Sequence, residues 1–216
     1  MASSEHHMRV GRTARYHMLG EPASAKELWV VLHGYGQLAR YFLHNFDGLE
    51  DGRCIVAPEG LSRFYLDGTF SRVGATWMTR EDRENEIADH VAYLDELCAE
   101  IRKACPSAAR LTALGFSQGV ATLCRWAMLG STRIDRLIIW GGSMPPELDP
   151  TDLSRRWNAK VLDLVHGTDD PVVKAEVLQR NAGLLRSAGL HFSTHNFKGG
   201  HALDRFTLER LMGANS

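Results

Sequence analysis

Apolar and polar positions alternate in blocks along most of this chain. From residue 27 onward, six short strand-like runs occur, most of them rich in Val, Leu and Ile, which is typical of strands buried on both faces. These runs are residues 28–33, 53–57, 111–116, 136–140, 160–166 and 191–197. Each is separated from the next by amphipathic or irregular sequence, so strands and helices are expected to take turns along the chain.

The amphipathic stretches predict five helices. They cover residues 38–46, 84–103, 120–129, 172–187 and 202–212. The longest, 84–103, carries its apolar residues at helical spacing. Strands that alternate with helices predict an α/β fold with a mostly parallel central sheet and helices on both faces.

Four further segments do not follow this alternation. Residues 8–10 and 14–19 resemble short strands and are expected to form an antiparallel edge on the sheet. Residues 58–80 and 141–157 are irregular, and a loop of that length is usually functional or contains an unrecognised element. Both follow strand ends, where open parallel sheets bind their ligands.

Composition limits the domain count and the partners. A length of 216 residues with 44% hydrophobic content and no linker-like segment predicts one domain over residues 1–216, with 1–8 as a disordered start or a tag remnant. The 25 basic and 26 acidic residues nearly cancel, which argues against nucleic acid or an anionic membrane as partner. We therefore expect a small, neutral or weakly polar partner. The oligomeric state stays open, a homodimer included.

The cysteine pattern indicates a reducing compartment. The four cysteines are scattered without a C-x-x-C pair or a histidine cluster, so we expect buried free thiols and no metal site, with His6 and His7 also not metal ligands. The chain has no apolar N-terminal run, no segment of 18 consecutive apolar residues and no N-glycosylation sequon. A cytoplasmic protein without an integral membrane segment is the resulting expectation.

Residues 115–119 have the sequence GFSQG, with Ser117 at the centre. The pattern G-x-S-x-G is short enough to arise by chance, but here it directly follows a predicted strand and directly precedes a predicted helix. That context is typical of a nucleophile elbow, in which a serine hydroxyl projects from a sharp turn above the sheet. We therefore interpret Ser117 as a candidate nucleophile.

A serine nucleophile needs a base and an acid that orients the base, in the chain order Ser, acid, His. Strand 160–166 leads into Asp169 and Asp170, and strand 191–197 leads into His201. Asp170 precedes a proline and could simply cap a helix, and His201 could be an inert loop residue. Their joint occurrence with the elbow, in the required order, favours the catalytic interpretation. Asp170 is preferred as the acid, with Asp169 as the lesser candidate.

A tetrahedral intermediate needs hydrogen-bond donors for its negative oxygen. The residue after the nucleophile, Gln118, is expected to supply one backbone N–H. The glycine-lined turn at residues 33–37 (HGYGQ), which follows the first buried strand, is expected to supply the other from Tyr35.

Together these segments resemble the phospholipase/carboxylesterase family of serine hydrolases, which includes bacterial carboxylesterases and acyl-protein thioesterases. The resemblance covers residues 32–36, 57–60, 115–119, 166–173 and 200–201. It implies an α/β-hydrolase fold without a cofactor, hydrolysis of carboxylic esters or thioesters, Ser117 as nucleophile, Asp170 as acid and His201 as base. Two departures are Val120, where better-known members have glycine, and residues 74–83, which are unlike those of the acyl-protein thioesterases.

The substrate pocket is the least specified part of the site. Apolar side chains in the loops near Ser117 are candidates for substrate contact, and they are Tyr35, Phe64, Tyr65, Trp77, Met78 and Met144. Trp77 and Phe64 could equally pin long loops to the domain. With only about 20 residues in each irregular stretch, no large lid domain is expected, and small or short-to-medium-chain esters are the predicted substrates.

Other functions fit parts of the sequence. A thioesterase or a lysophospholipase would use the same three residues. Residues 34–39 also fit a G-x-G-x-x-A dinucleotide-binding turn, with Glu59 as the ribose-binding acid, but that hypothesis leaves the elbow and the two later loops unexplained. A hydrolase fold that only binds a ligand is a further alternative.

Overall fold

The computed structural model describes residues 3–157 and 159–213, and six α-helices, two short 3-10 helices and nine strands lie within them. The strands are β1 Tyr16–Leu19, β2 Glu27–Leu32, β3 Arg53–Pro58, β4 Ser62–Tyr65, β5 Val73–Thr76, β6 Arg110–Phe116, β7 Arg136–Trp140, β8 Val161–Gly167 and β9 Ser193–Phe197. The helices are α1 Ala39–Leu43, α2 Arg83–Ala104, α3 Gln118–Leu129, α4 Pro150–Arg156, α5 Ala175–Ser187 and α6 Arg205–Gly213.

Seven of the strands form one sheet in the order β1-β3-β2-β6-β7-β8-β9. All neighbours are parallel except β1, which pairs antiparallel with β3 at one edge. Because the parallel strands all point the same way, the loops that follow β2, β6, β7, β8 and β9 lie along one rim of the sheet. The predicted mostly parallel α/β architecture is confirmed.

Side chains along the central strands alternate between the two faces of the sheet. In β2, Leu28, Val30 and Leu32 belong to one buried apolar cluster, and Trp29 and Val31 belong to another. Helices α2 to α5 contribute to the first cluster, and α1 and α6 to the second. Since both faces of the sheet are covered, its central strands are apolar at nearly every position.

Several predicted boundaries differ from the observed ones. The edge strand within 14–19 is present as β1, whereas residues 8–10 form no strand, because no neighbouring strand extends to pair with them. The stretch 58–80 contains the hairpin β4–β5, and 141–157 contains α4. Residues 3–8 have no regular secondary structure, and residues 1–2 of that predicted segment lie outside the described residues. In the described ranges, no helix has the length and apolarity needed to cross a bilayer.

A buried carboxylate ties the edge strand region to the hairpin. Glu59, at the end of β3, has no exposed side-chain surface and accepts hydrogen bonds from Arg15 at 2.7 Å and from Arg63 at 2.6 Å. The backbone N–H of Ala39 donates to the same carboxylate at 3.3 Å. Burial by itself would raise the pKa of Glu59, but the hydrogen bonds and charges of Arg63 and Arg15 outweigh burial and hold the pKa below its ordinary 4.5.

Replacement of this carboxylate should therefore weaken the fold. Glu59→Gln keeps the shape but removes the charge, and we expect the free energy of unfolding to fall by about 2 kcal/mol at neutral pH, measured by urea denaturation. Because a lowered pKa stabilises the native state only while the group is ionised, the deficit should shrink as the pH falls below the ordinary pKa of 4.5. The exposed Glu96→Gln on α2 is the control and should change stability little at any pH. An equal effect of both substitutions would contradict the structural role of Glu59.

Candidate active site

Ser117 occupies the sharp turn between β6 and α3. Its backbone has φ 55° and ψ −116°, a conformation that residues with a side chain rarely adopt. Two hydrogen bonds stabilise this strained backbone conformation. The Ser117 N–H donates to the Trp140 carbonyl at 3.0 Å, and the Ser117 carbonyl accepts from the Val120 N–H at 3.1 Å. The hydroxyl is thereby lifted from the sheet edge at the start of a helix, as the G-x-S-x-G pattern predicts.

The turn depends on the absence of a side chain at Gly119. A Cβ atom at this position would lie 2.3 Å from the Leu32 carbonyl oxygen and 2.8 Å from the His33 carbonyl oxygen. Both neighbours are backbone atoms of β2 or of the loop that follows it, so they cannot rotate away. Glycine at this position allows α3 to lie directly against the end of β2.

Ser117, His201 and Asp170 form a continuous chain of hydrogen bonds. The Ser117 Oγ lies 2.9 Å from His201 Nε2, and His201 Nδ1 lies 2.7 Å from Asp170 Oδ2. Three strand ends, those of β6, β8 and β9, supply the three residues. The Asp170 side chain is 2% exposed and that of His201 is 18% exposed, so the carboxylate is shielded while the imidazole edge remains accessible.

The Asp170 carboxylate is held ionised by its partners. Its Oδ1 accepts the backbone N–H groups of Val172 at 2.8 Å and Val173 at 2.9 Å. Burial by itself would raise the pKa of Asp170, but the hydrogen bonds from Val173, His201 and Val172 outweigh burial and leave the pKa below its usual range. The two oxygens of Asp170 therefore have separate roles. Oδ1 binds the backbone of its own loop, and Oδ2 contacts His201.

The competing acid and the other histidines lie elsewhere. Asp169 is exposed, and its backbone N–H donates to the Gly199 carbonyl at 2.9 Å. The carboxylate that contacts His201 is that of Asp170. His195 pairs with buried Asp163 at 2.7 Å on the β8–β9 part of the sheet. Glu5, His7 and Asp82 are exposed and lie close enough together to hold a metal ion, on the surface and outside this hydrogen-bonded chain.

The loop after β2 passes beside the nucleophile. A Cβ atom at Gly34 would lie 3.1 Å from the Ser117 Cβ, which shows how closely the two segments approach. Within residues 3–157 and 159–213, the backbone N–H groups of Tyr35 and Gln118 donate to no protein acceptor. Donors without a protein acceptor, on the segments that flank a serine hydroxyl, are what an oxyanion site requires.

Two side chains that hold these segments were not predicted from the sequence. The Gln118 amide binds the end of the hairpin and the segment after it, donating to Thr76 Oγ1 at 2.8 Å and to the Met78 carbonyl at 3.0 Å. His33 accepts the Gly60 N–H at its Nε2 at 3.0 Å and bonds the Gly34 carbonyl through Nδ1 at 2.8 Å. Burial lowers the pKa of His33, so the neutral ring bridges the two loops. Polar residues within a strand-end motif are the only sequence signal for such a role.

The predicted substrate contacts separate into two groups. Trp77 and Met144 are buried, and Trp77 donates its indole N–H to the His33 carbonyl at 2.9 Å, so both pack the interior instead of offering surface to a substrate. Tyr35 is 61% exposed and its ring lies 5.0 Å from that of Phe64. Tyr65 is also exposed, at 55%.

Met78 belongs to neither group. It is half-buried, and its sulfur lies 3.2 Å from Arg125 Nη1. Among the six candidates, Tyr35 and Tyr65 are therefore exposed and Phe64 is half-buried beside Tyr35, whereas the half-buried Met78 packs against the interior.

Comparison with known proteins places this chain in a family. A model of the phospholipase/carboxylesterase family matches residues 21–212, so the chain belongs to that family of hydrolytic enzymes. No curated protein sequence matches the chain significantly. The fold assignment as an α/β hydrolase and the resemblance drawn from the motifs are both confirmed.

Solved structures of similar fold include esterases and a thioesterase. Esterase PE8 has a TM-score of 0.69 at 22% identity, covering 94% of this chain and 98% of its own. The Bacillus cereus carboxylesterase has a TM-score of 0.68 at 16% identity, covering 92% of each chain. The Zea mays acyl-protein thioesterase 2 has a TM-score of 0.69 at 20% identity, covering 93% of this chain and 96% of its own. At these identities the likeness concerns the fold.

The elbow can be tested at its glycine. Gly119→Ala should lower the free energy of unfolding by about 2 kcal/mol and slow fluorophosphonate labelling of Ser117, because the new methyl group displaces α3 from β2. Gly183→Ala in α5 is the matched control, since nothing lies within 4 Å of the added carbon, and it should leave stability unchanged or raise it slightly. Equal stability and labelling rates for both variants would rule out a tightly constrained elbow.

Proposed function

We propose that this protein is a serine carboxylic-ester hydrolase that acts through an acyl-serine intermediate. The observation that carries the proposal is the chain of hydrogen bonds from Ser117 through His201 to Asp170. An unassisted serine hydroxyl is a weak nucleophile, and a neighbouring imidazole held by a carboxylate is the standard means of activating it.

In the proposed first step, His201 Nε2 takes the hydroxyl proton as Ser117 Oγ attacks the ester carbonyl carbon. The carbonyl oxygen becomes negative and accepts hydrogen bonds from the backbone N–H groups of Gln118 and Tyr35. The tetrahedral intermediate then collapses, the bond to the leaving alcohol oxygen breaks, and His201 returns the proton to that oxygen. The products are the free alcohol and an ester of Ser117.

The second step repeats this sequence with water. His201 takes a proton from water, the hydroxide oxygen attacks the acyl-serine carbonyl, and the Ser117 oxygen leaves with the proton that His201 returns. Asp170 stays ionised throughout, because the pKa of its carboxyl lies below its usual range. It thus stabilises the imidazolium and keeps Nε2 directed at Ser117.

The accessible apolar surface favours small and medium acyl groups. Tyr35 and Phe64 lie in ring contact at the surface, and Trp77 and Met144, which would have lined a deeper pocket, are packed in the interior. The segment that bears Tyr65 is a two-stranded hairpin of four residues per strand, far smaller than a lid domain. We therefore retain short-to-medium-chain esters as the proposed substrates.

A thioesterase activity is the second candidate. The fold likeness to the Zea mays acyl-protein thioesterase 2 favours it, and the same three residues would cleave a thioester. The dinucleotide-binding hypothesis loses its ribose-binding acid, because Glu59 is buried and bound by Arg15 and Arg63.

Substitution of Ser117 and Asp170 tests the mechanism. With p-nitrophenyl butyrate, Ser117→Ala should abolish turnover and fluorophosphonate labelling together, because no nucleophile remains. Asp170→Asn should lower kcat by about 10⁴-fold, since the amide no longer holds the imidazole in the required tautomer. Asp169→Asn is the matched control and should retain most of the activity, with circular dichroism verifying the fold of all three. The reverse order, with Asp169→Asn the more damaging change, would refute the assignment of the acid.

A chain-length series tests the substrate proposal. We expect kcat/KM for p-nitrophenyl acetate and butyrate to exceed that for octanoate, and palmitate to be cleaved poorly, because Trp77 and Met144, which would line a deeper acyl pocket, are buried in the interior. Butyryl and palmitoyl thioesters measured in parallel distinguish an esterase from a long-chain thioesterase. Strong turnover of palmitate with feeble turnover of acetate would exclude the short-chain assignment while leaving the mechanism intact.

A further inference from the structure

A cavity lies next to the candidate active site, between α1 and the β4–β5 hairpin. Its volume is about 410 Å³, and Ser117, Asp170 and His201 do not line it. Gly36 and Gln37 form one wall, Arg40 and Tyr41 of α1 a second, and Leu66 and Arg72 of the hairpin a third. Volumes of about 300–1,000 Å³ are usual for small-molecule sites.

The cavity carries positive charge without a counter-charge. Arg40 and Arg72 both line it, and none of the lining residues is acidic. In residues 3–157 and 159–213, neither guanidinium forms an ion pair. Asp67, in the same hairpin turn, directs its carboxylate at Thr69 and Ser71. This local excess of positive charge is not visible in the net charge of the whole chain, which is close to zero.

The two arginines differ in how they are held. The Arg40 guanidinium lies over the Tyr41 ring, 4.4 Å from its centroid. When the flat face of a guanidinium lies over a ring, the N–H groups at its edge stay free. A carboxylate or phosphate can accept two of these N–H groups. Arg72 lines the same cavity from the hairpin, so α1 and the hairpin each contribute one guanidinium group to it.

The rest of the lining combines the uncharged polar side chains of Gln37, Asn45 and Ser71 with an apolar part. Phe42, Leu66 and Val73 line the cavity together with the Tyr41 ring, and Leu66 and Val73 are 40% and 38% exposed. Inorganic phosphate alone would leave this surface uncovered. We propose that the cavity binds a small organic anion whose carboxylate or phosphate group lies between Arg40 and Arg72 and whose apolar part contacts Tyr41 and Leu66.

The cavity wall is continuous with the loop beside the nucleophile. Gly36 donates its N–H to the Ala75 carbonyl at 2.9 Å, and Ala75 donates to the Gln37 carbonyl at 3.2 Å, so hairpin and loop are joined. The Gln37 side chain accepts the Gly34 N–H at 2.7 Å. The bound anion is thus either the charged part of an ester held at Ser117 or a separate small molecule, and this relation to catalysis rests on the proposed function.

Calorimetry with phenyl phosphate tests the site, with phenol as the matched neutral probe. At low ionic strength the wild-type protein should bind phenyl phosphate at least about tenfold more tightly than phenol. Arg40→Gln and Arg72→Gln should each weaken binding by about tenfold, because each removes a charged donor pair. Arg186→Gln removes an arginine stacked on Phe192, away from the cavity, and should leave binding unchanged.

The result that would overturn the proposal is equal affinity for phenyl phosphate and phenol, or equal loss of affinity in all three variants. Thermal melting of each variant separates lost binding from lost folding. Because the readout is binding, it can be made with Ser117→Ala, so a failed hydrolase assignment leaves the test valid, and a failed anion site leaves the hydrolase assignment standing.

Kinetics with a neutral ester identify the source of the anion once binding is established. If phenyl phosphate raises KM for p-nitrophenyl acetate without changing kcat, the cavity holds part of the ester substrate. If it changes kcat, or binds without affecting turnover, the anion is a separate ligand. Both results support the site, and both should be lost in Arg40→Gln.

Discussion

The close contact between the start of α3 and the end of β2 is the constraint on which the rest of the site depends. Gly119 allows backbone to meet backbone there, and Ser117 is held in an unfavourable conformation as a result. A strained residue persists only where its surroundings over-determine it. In this protein those surroundings include the Trp140 carbonyl and Val120, so β7 and α3 both fix the serine. Any shift of α3 would move the hydroxyl and the adjacent N–H of Gln118 together.

The parallel sheet explains why residues far apart in sequence meet at this point. Ser117 and His201 are 84 positions apart, yet both follow strands that end at the same rim. Asp170 reaches the same rim from β8, which lies between β7 and β9. The Asp170 carboxylate contacts the imidazole of His201 and is itself fixed by two backbone N–H groups of its own loop.

The hairpin links the proposed anion-binding cavity to the candidate active site. Its strand β5 bonds the loop after β2 through Ala75, and the segment that follows β5 holds the Gln118 amide. Glu59 anchors the base of the same region through Arg15 and Arg63. A small element is therefore connected to both proposed oxyanion donors, which gives a physical route by which a ligand beside the hairpin could affect the reaction centre.

The amino-acid sequence by itself determined the alternation of strands and helices, the elbow around Ser117 and the order of the acid and the base, because these depend on local periodicity and short motifs. It favoured Asp170 over Asp169, which is adjacent and chemically alike, without excluding Asp169, and in the structure it is Asp170 that contacts His201. It did not identify the hairpin, α4 or the burial of Met144, and it left open whether Trp77 contacts a substrate or pins a loop to the domain. Whether an aromatic side chain in a long loop faces a substrate or the interior depends on what packs against it, and only the tertiary structure brings those neighbours together.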